Sequence, residues 1–189
     1  EEISLKLQHP SKRRIKMVFV GNLTKLANVD WIIDLATAAE NHNSILDFQI
    51  FGDGPRADVI QKASKNLTNF QYKGWINESE LIISMKEAHF GILAYNSDVL
   101  IHGVPNKFVD YLSFSLPIYS CTKGKIRDLI KEHDIGIYSN ENEMHATIKS
   151  IEELFLDEEK YIDISLNVQN LYRNHYSYDA VGIKLEKIL

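Results

Sequence analysis

Strand-like and helix-like segments alternate along almost the whole sequence, and this alternation restricts the fold more than any other feature. Short runs rich in apolar residues, each typical of a strand buried on both faces of a sheet, recur six times. Helix-like segments separate them; in the first, Trp31, Leu35 and Ala39 fall on one face. Strands separated by helices usually pair in parallel. We therefore predict a Rossmann-like, doubly wound α/β/α fold with a parallel sheet of about six strands.

The segment boundaries follow from the same patterns. The predicted strands are 15–20, 46–51, 70–73, 89–94, 117–120 and 135–138. The predicted helices are those that begin near Asn28, at Pro55, near Glu78 and at Pro105, followed by 125–133, 141–155, 158–173 and 179–189.

Glycines follow several of the predicted strands. Gly21, Gly52 and Gly74 each come directly after a strand, and Gly103 precedes the fourth helix of the series. In a doubly wound sheet, ligands bind at the carboxyl ends of the strands, where these glycines would lie. The sequence therefore predicts a ligand cleft at that edge.

Composition excludes several classes of protein. There are 26 acidic against 21 basic residues, a net charge of −5, which argues against binding nucleic acid through its phosphates. The single cysteine, Cys121, excludes an internal disulfide framework, fits a reducing compartment and is expected to be a small buried residue. No apolar run approaches the ~20 residues that span a bilayer, and the first residues are not typical of a signal peptide. Zinc-ligand spacings, a Ser-His-Asp pattern and a Walker lysine are also lacking.

The stretch GVPNKFVDYLSFSLP, residues 103–117, carries the most informative chemistry. Pro105 suits the first turn of a helix, and a helix start offers free N–H groups and a positive dipole end to a phosphate. Asn106 and Lys107 would lie beside that phosphate. Asp110 is one turn further on and shares a face with Lys107. An amine for phosphate next to a carboxylate for sugar hydroxyls suits a nucleoside diphosphate.

PNKFVDYLSFSLPI resembles the segment P-x-K-x-x-E-x-x-x-x-G-x-P-[IV] of retaining glycosyltransferases with the GT-B architecture, family 4, also called group 1. Asp110 takes the place of the acidic residue and Ser115 that of the glycine. The resemblance covers the C-terminal, donor-binding half of such an enzyme. It implies that Asp110 binds ribose hydroxyls, that Lys107 and the helix N-terminus stabilise the leaving diphosphate, and that Gly21 lets the backbone approach it.

The chain departs from the family at two places. The family usually has G-R-L-x-x-x-K-G after the first strand, whereas Asn22 stands at the arginine position and Ala27 at the lysine position. Lys25 is our candidate for one replacement charge. A second acidic residue, which contacts the transferred sugar in many members, is replaced by His102; Asp98 is the nearest carboxylate, and the sugar-contacting role stays unassigned.

Other turns also match the family. Gly52 and Gly54 with Pro55 match its G-x-G-P turn at the rim of the donor site, although a purely structural turn explains Asp53 equally well. The backbone at Ile76 corresponds to the position that holds the nucleobase edge. Trp75 is either a stacking partner or an aromatic residue at the edge of the core, and the core interpretation is favoured. Lys123 and Gly124 either approach the sugar or form a surface loop.

The resemblance implies a function and a domain organisation. Residues 15–176 would form the nucleotide-sugar-binding domain, after a linker at 1–14 and before a helix at 177–189 that packs toward an N-terminal domain. The expected reaction transfers a sugar from a nucleotide diphosphate sugar, with a UDP-sugar favoured, to a saccharide or lipid-linked acceptor in surface polysaccharide or glycolipid synthesis. No cofactor and no metal are implied. We expect a cytoplasmic protein, peripheral to the inner face of the membrane, and an inactive fragment.

Two alternatives stay open. A GT-B epimerase or nucleotide-sugar hydrolase would share the cleft and differ only in its products. A non-catalytic nucleotide-binding module, such as an inactivated glycosyltransferase, would explain the missing arginine and lysine. A flavodoxin-like receiver would need acidic residues at the end of the first strand, and residues 18–21 offer none.

Overall fold

The structure, a computed structural model, describes residues 14–96, 103–140 and 143–180. The strands are β1 (Ile15–Val20), β2 (Leu46–Phe51), β3 (Phe70–Gly74), β4 (Phe90–Leu93), β5 (Ile118–Ser120) and β6 (Gly136–Tyr138). The helices are α1 (Val29–Asn41), α2 (Ala57–Asn66), α3 (Glu78–Glu87), α4 (Asn106–Ser113), α5 (Lys125–His133), α6 (Met144–Leu156) and α7 (Glu158–Leu171). A π-helical turn, Tyr172–Tyr176, extends α7.

The six strands form one sheet in the order β3-β2-β1-β4-β5-β6, with every neighbouring pair parallel. The chain therefore builds outward from β1 to β3, crosses back through α3 to β4, and builds outward again to β6. This arrangement confirms the predicted Rossmann-like, doubly wound α/β fold. The winding direction reverses between β1 and β4, which is therefore the switch point of the sheet.

Two apolar layers enclose the sheet, because alternate residues of each strand face opposite sides. From β1, Met17 and Phe19 pack with α1, α2 and α6, whereas Val18 and Val20 pack with α3, α4 and α5. Helix α7 contributes to both layers. Burial on both faces explains why the strands read as continuous apolar runs.

Several predicted boundaries need correction. Helix α2 begins at Ala57 rather than Pro55, because Gly54 to Arg56 form a turn in which the Ala57 N–H donates to the Gly54 carbonyl. Pro105 is not in the first turn of α4; it is the N-cap residue, with an extended backbone (ψ 151°). Strands β4, β5 and β6 are each shorter than predicted, and β3 includes Gly74.

Several predicted segments lie partly or wholly outside the described residues. Helix α6 begins at Met144 rather than at residue 141, which itself lies outside them. Residues 1–13 of the predicted linker, and 181–189 of the predicted final helix, also lie outside, as do Asp98 and His102. The domain boundaries at 14 and 176 therefore stay predictions. In the part that is described, no helix has the length and apolar character to cross a bilayer.

Candidate functional site

The candidate site lies at the carboxyl ends of β1 and β4. The winding direction of the sheet reverses between these neighbouring strands, and doubly wound sheets bind ligands in the crevice at this place. Gly21 follows β1, Tyr95 lies two residues after β4, and the next described segment leads into α4. The fold thus brings the predicted glycine turn and the predicted phosphate-binding helix to one place.

Tyr111 fixes α4 to the crevice. Its hydroxyl oxygen accepts a hydrogen bond from the Val20 N–H at 3.0 Å, and lies 3.3 Å from the Val18 carbonyl oxygen and 3.2 Å from that of Ile92. Its ring lies against Gly91, where a methyl group would come within 2.5 Å of a ring carbon. Burial raises the pKa of Tyr111 far above its ordinary value, so the hydroxyl stays protonated and can donate.

Lys107 and Asp110 form the charged pair that the sequence predicts. The Lys107 Nζ atom lies 3.1 Å from Asp110 Oδ2, and the two side chains are 31% and 49% exposed, so both remain accessible to a ligand. No side chain of the described residues caps the N-terminus of α4 at Pro105. The unpaired N–H groups of a helix start carry partial positive charge, which suits an anion.

Asp110 also faces a cavity of about 260 Å³ between α3 and α4. The cavity contains a second carboxylate, that of Glu78, and is otherwise apolar. Its lining residues are Val20, Glu78, Leu81, Ile82, Met85, Asp110 and Phe114. A mostly apolar cavity with a few polar groups is the usual form of a small-molecule site.

The glycines near the cleft have different roles. Gly52 has φ +128°, and a methyl group there would lie 1.9 Å from the Gly21 carbonyl oxygen. Gly54 has φ +151°, and a methyl group there would lie 2.7 Å from the Leu23 carbonyl oxygen. Both are glycines because the two loops pack backbone to backbone. At Gly21 a methyl group would meet nothing closer than 3.4 Å, so the fold itself does not require glycine there.

The loop after β1 lacks the two cations of the family. Asn22 and Lys25 are exposed, whereas Ala27 is buried and forms an antiparallel bridge with Tyr95. The Asn96 side-chain amide donates to the Lys25 carbonyl oxygen at 2.6 Å, so the backbone of this loop is tied to the loop after β4. Whether the Lys25 ammonium serves the site stays a prediction.

Trp75 and Ile76 lie at the end of β3. The core interpretation of Trp75 was wrong: its side chain is 77% exposed, directly after Gly74 (φ +67°), where β3 ends. Ile76 is half-buried against the α3 and α4 layer. Trp75 is therefore accessible for stacking, and the nucleobase roles of both residues stay predictions.

The loop after β5 is partly as predicted. Cys121 is buried as a small apolar residue. In the loop after β2, Asp53 has a structural role, because its carboxylate accepts from the Gly54 N–H at 2.7 Å. Lys123 is exposed and Gly124 is the N-cap of α5.

Sequence reasoning missed two residues of the crevice. Tyr111 carries no role in the motif, and Tyr95 was not singled out, yet Tyr95 lies beside Gly21 and its N–H donates to Thr122 Oγ1 at 3.0 Å. Burial, and to a smaller extent the Asp110 carboxylate, raises the pKa of Tyr95. Sequence position could have identified both: Tyr95 directly follows the predicted strand 89–94, and Tyr111 directly follows Asp110. Among the described residues, no group of three or more His, Cys, Asp or Glu could hold a metal ion.

A six-stranded doubly wound sheet, with an uncapped helix and a lysine–carboxylate pair at its switch point, defines a Rossmann-like domain. The sequence model of the glycosyl transferases group 1 family matches residues 14–157, which is most of the chain. The chain therefore belongs to that family. A comparison with curated proteins gave no match.

Solved glycosyltransferases have the same fold. TarM from S. aureus superposes with a TM-score of 0.72 at 15% identity, over 95% of this chain and 36% of TarM. Pneumococcal O-GlcNAc transferase GtfA, in complex with UDP and GlcNAc, gives 0.70 at 14% identity, over 96% and 37%. Anabaena HepE, in complex with UDP and glucose, gives 0.74 at 12% identity, over 100% and 54%. This chain thus spans between about a third and a half of their lengths.

Proposed function

We propose that this chain is the donor-binding domain of a retaining glycosyltransferase that moves a sugar from a UDP-sugar to an acceptor in surface polysaccharide or glycolipid synthesis. The observation that carries the proposal is the Lys107–Asp110 pair, held by Tyr111 at the uncapped N-terminus of α4 beside the 260 Å³ cavity. It combines an anion site with a hydroxyl acceptor at the place where doubly wound folds bind nucleotides.

Each group has a distinct role in this proposal. The Lys107 ammonium and the N–H groups of the first turn of α4 stabilise the negative charge on the departing diphosphate, which is the main catalytic contribution expected of this half. The Asp110 carboxylate accepts hydrogen bonds from the ribose hydroxyls. The backbone at Ile76 holds the base edge and Trp75 stacks on it, while Gly21, Asn22 and Lys25 lie along the diphosphate.

The Lys107–Asp110 pair suits a site that changes partners on binding. Both side chains are partly exposed, and pairs of this kind contribute only about 0.2–1 kcal/mol. A diphosphate that draws Lys107 away therefore replaces a weak interaction with a stronger one. The Asp110 carboxylate then becomes free to accept from the ribose.

The UDP preference rests on the nucleotide-bound relatives of the same fold, GtfA and HepE, which contain UDP. The acceptor would bind a segment outside this chain, which spans only part of those proteins. Membrane-attached acceptors and a cytoplasmic position at the inner face of the membrane belong to the same proposal, as does the absence of a required cofactor or metal.

The test is calorimetric titration of the chain with UDP, GDP and ADP. We expect UDP to bind, and Asp110→Ala to weaken it by about 1 kcal/mol or more, since a charged hydrogen-bond partner is lost. Asp34→Ala, which removes an exposed carboxylate from α1, is the matched control and should leave the affinity unchanged. In a second arm, Gly21→Ala should weaken UDP while leaving the melting temperature near that of the wild type, because the fold has room for the methyl group.

Equal UDP affinity in the wild type and Asp110→Ala would contradict the proposed ribose contact. Absence of binding by all three nucleotides, in this chain and in a longer form that includes an N-terminal domain, would contradict the donor site as a whole.

One observation favours a second candidate, a non-catalytic nucleotide-binding module. Asn22 and Ala27 remove both cations that the family usually places along the diphosphate. Incubation of a longer form with a UDP-sugar and analysis of the products separates the two. Transferred sugar supports the transferase, free sugar or an epimer supports the related GT-B activities, and unchanged UDP-sugar despite tight binding supports the module.

A further inference from the structure

A second cavity of about 340 Å³ lies at the carboxyl end of β6, and it shares no lining residue with the cavity that Asp110 faces. Three of its lining residues are cationic: Lys123, Arg127 and Lys131. Polar groups of Ser139 and Asn140 complete the side opposite α5. None of these features is used by the proposed donor site, except that Lys123 was also a candidate for the sugar.

Helix α5 and the loop before it bring the three cations to this cavity. Arg127 and Lys131 are four residues apart on α5, so their side chains lie on the same face, and Lys123 lies in the loop two residues before the helix begins. Gly124, the N-cap of α5, offers no side chain to its free N–H groups. The positive end of the helix thus lies beside the first of the three cations.

The surroundings neutralise this charge only in part. Arg127 donates through Nε and Nη2 to Asp128 Oδ1 at 2.9 and 2.8 Å, and the Lys131 ammonium lies 5.5 Å from the centre of the Tyr138 ring. Among the described lining residues the carboxylate is that of Glu143, which lies 3.3 Å from the Asn140 amide nitrogen. Within the described residues, neither Lys123 nor Lys131 forms a salt bridge.

Such an arrangement is unfavourable without a ligand. Like charges four residues apart on a helix repel each other by a few tenths of a kcal/mol. The chain as a whole has a net charge of −5, so a basic cavity is not a consequence of its general composition. An oxoanion between the cations would relieve the repulsion and accept charge-assisted hydrogen bonds from the lysines and the arginine.

We propose that this cavity binds a phosphate-class oxoanion, either a phosphate group of a soluble molecule or the phosphate of an anionic lipid headgroup. Arg127 and Lys131 bind the anion from α5. Lys123 and the N–H groups at the start of α5 bind it from the loop before the helix, and the Asn140 amide binds it from the β6 side. The site shares Lys123 and Gly124 with the candidate sugar contacts, but it uses none of the residues proposed to bind the donor nucleotide.

The test is a titration of the ¹⁵N-labelled chain with inorganic phosphate and with pyrophosphate, followed through the backbone amides of α5. We expect saturable shifts at Lys125 to Lys131. In Arg127→Gln/Lys131→Gln the affinity should fall at least about fivefold, the combined effect of two exposed charged contacts. Arg127→Lys/Lys131→Arg, which keeps both charges, should retain binding. Lys62→Gln/Lys65→Gln, on the exposed side of α2 at the opposite edge of the sheet, is the matched control for net charge.

A second arm identifies the source of the phosphate. Wild type and the Gln/Gln variant are sedimented with vesicles of phosphatidylcholine containing phosphatidylglycerol, and with phosphatidylcholine alone. Sedimentation that requires phosphatidylglycerol and is lost in the variant assigns a lipid headgroup, whereas α5 shifts without sedimentation assign a soluble phosphate.

Three results would overturn the proposal: no saturable shift in α5 with either anion, equal affinity in the Gln/Gln variant, or an equal loss in the α2 control. Asp110→Ala should leave these shifts unchanged, so failure of the donor site and failure of this site are distinguishable. The melting temperature of the Gln/Gln variant, expected to stay near that of the wild type, verifies that it is folded.

Discussion

Replacement of Tyr111 by phenylalanine removes one hydroxyl from the point where β1 and β4 diverge. The pairing of these strands ends at Val18 and Gly91, so the Val20 N–H beyond it has no strand partner on that side and uses the Tyr111 hydroxyl instead, at 3.0 Å. The phenylalanine ring keeps the packing against Gly91. The change therefore isolates the hydrogen bonds from the ring.

The expected cost follows from the burial of the groups involved. Tyr111 is fully buried, so the Val20 N–H cannot exchange its lost partner for bulk water. A buried donor left unsatisfied costs about 1–3 kcal/mol, and the carbonyl oxygens of Val18 and Ile92 lose a shared donor as well. We expect a loss of about 2 kcal/mol, or roughly 4–8 °C in melting temperature for a domain of this size.

Urea unfolding followed by circular dichroism measures this difference. Tyr178→Phe is the control, because its side chain is 92% exposed and the change should stay within about 0.5 kcal/mol. A Tyr111→Phe protein as stable as the control would refute the inference that this hydroxyl completes the hydrogen bonding of the strand ends.

Two further predictions concern stability. Gly52→Ala should destabilise the fold by about 3 kcal/mol or more, because its methyl group would overlap the Gly21 carbonyl oxygen at a positive φ; a loss below about 1 kcal/mol in urea unfolding would show that the loops separate easily. Burial raises the pKa of the Asp47 carboxyl despite nearby Arg14, Lys16 and Lys73, so its ionisation opposes folding as the pH rises above 3.8. Asp47→Asn should therefore melt higher than the wild type at neutral pH, with an advantage that shrinks as the pH falls toward 3.8; an advantage that is constant with pH would contradict this.

The strand pattern predicted most of the architecture. All six predicted strands exist, and α5 has the predicted bounds. Strands buried on both faces must be apolar throughout, so a run such as 15–20 has few other interpretations. The resemblance of residues 105–118 then identified the half of the GT-B fold to which these strands belong.

The missed details depend on contacts between distant residues. Pro55 is an ordinary first helical residue by its own preference, but the Arg56 N–H donates to the Leu23 carbonyl and holds residues 54–56 in a turn. The partners of Tyr111 on β1 are more than 90 residues away in sequence. The exposure of Trp75 depends on where the chain leaves the sheet, which no local pattern encodes.

The Lys107–Asp110 pair was predicted correctly because it depends only on residues that are close in sequence. Lys107 and Asp110 are three residues apart on one helix, so helical geometry alone brings them together. Their joint position at the switch point follows from the topology, which the strand pattern supplies.

The charges around the crevice indicate which cations are available to the diphosphate in the proposed donor site. Arg56 lies on the loop after β2, but both of its terminal nitrogens bind the Asp30 carboxylate, whose pKa is lowered mainly by that hydrogen bonding, so Arg56 already has a partner. Asn22 carries no charge, and Ala27 is buried where the family has lysine. Within residues 14–96 and 103–140, the positive charge at the switch point is therefore that of Lys107 and the α4 N-terminus, with Lys25 on an exposed loop. Lys107 and the α4 N-terminus belong to one helix, which Tyr111 ties to the strand ends. The proposed diphosphate site therefore depends on this helix rather than on a loop that carries its own cations.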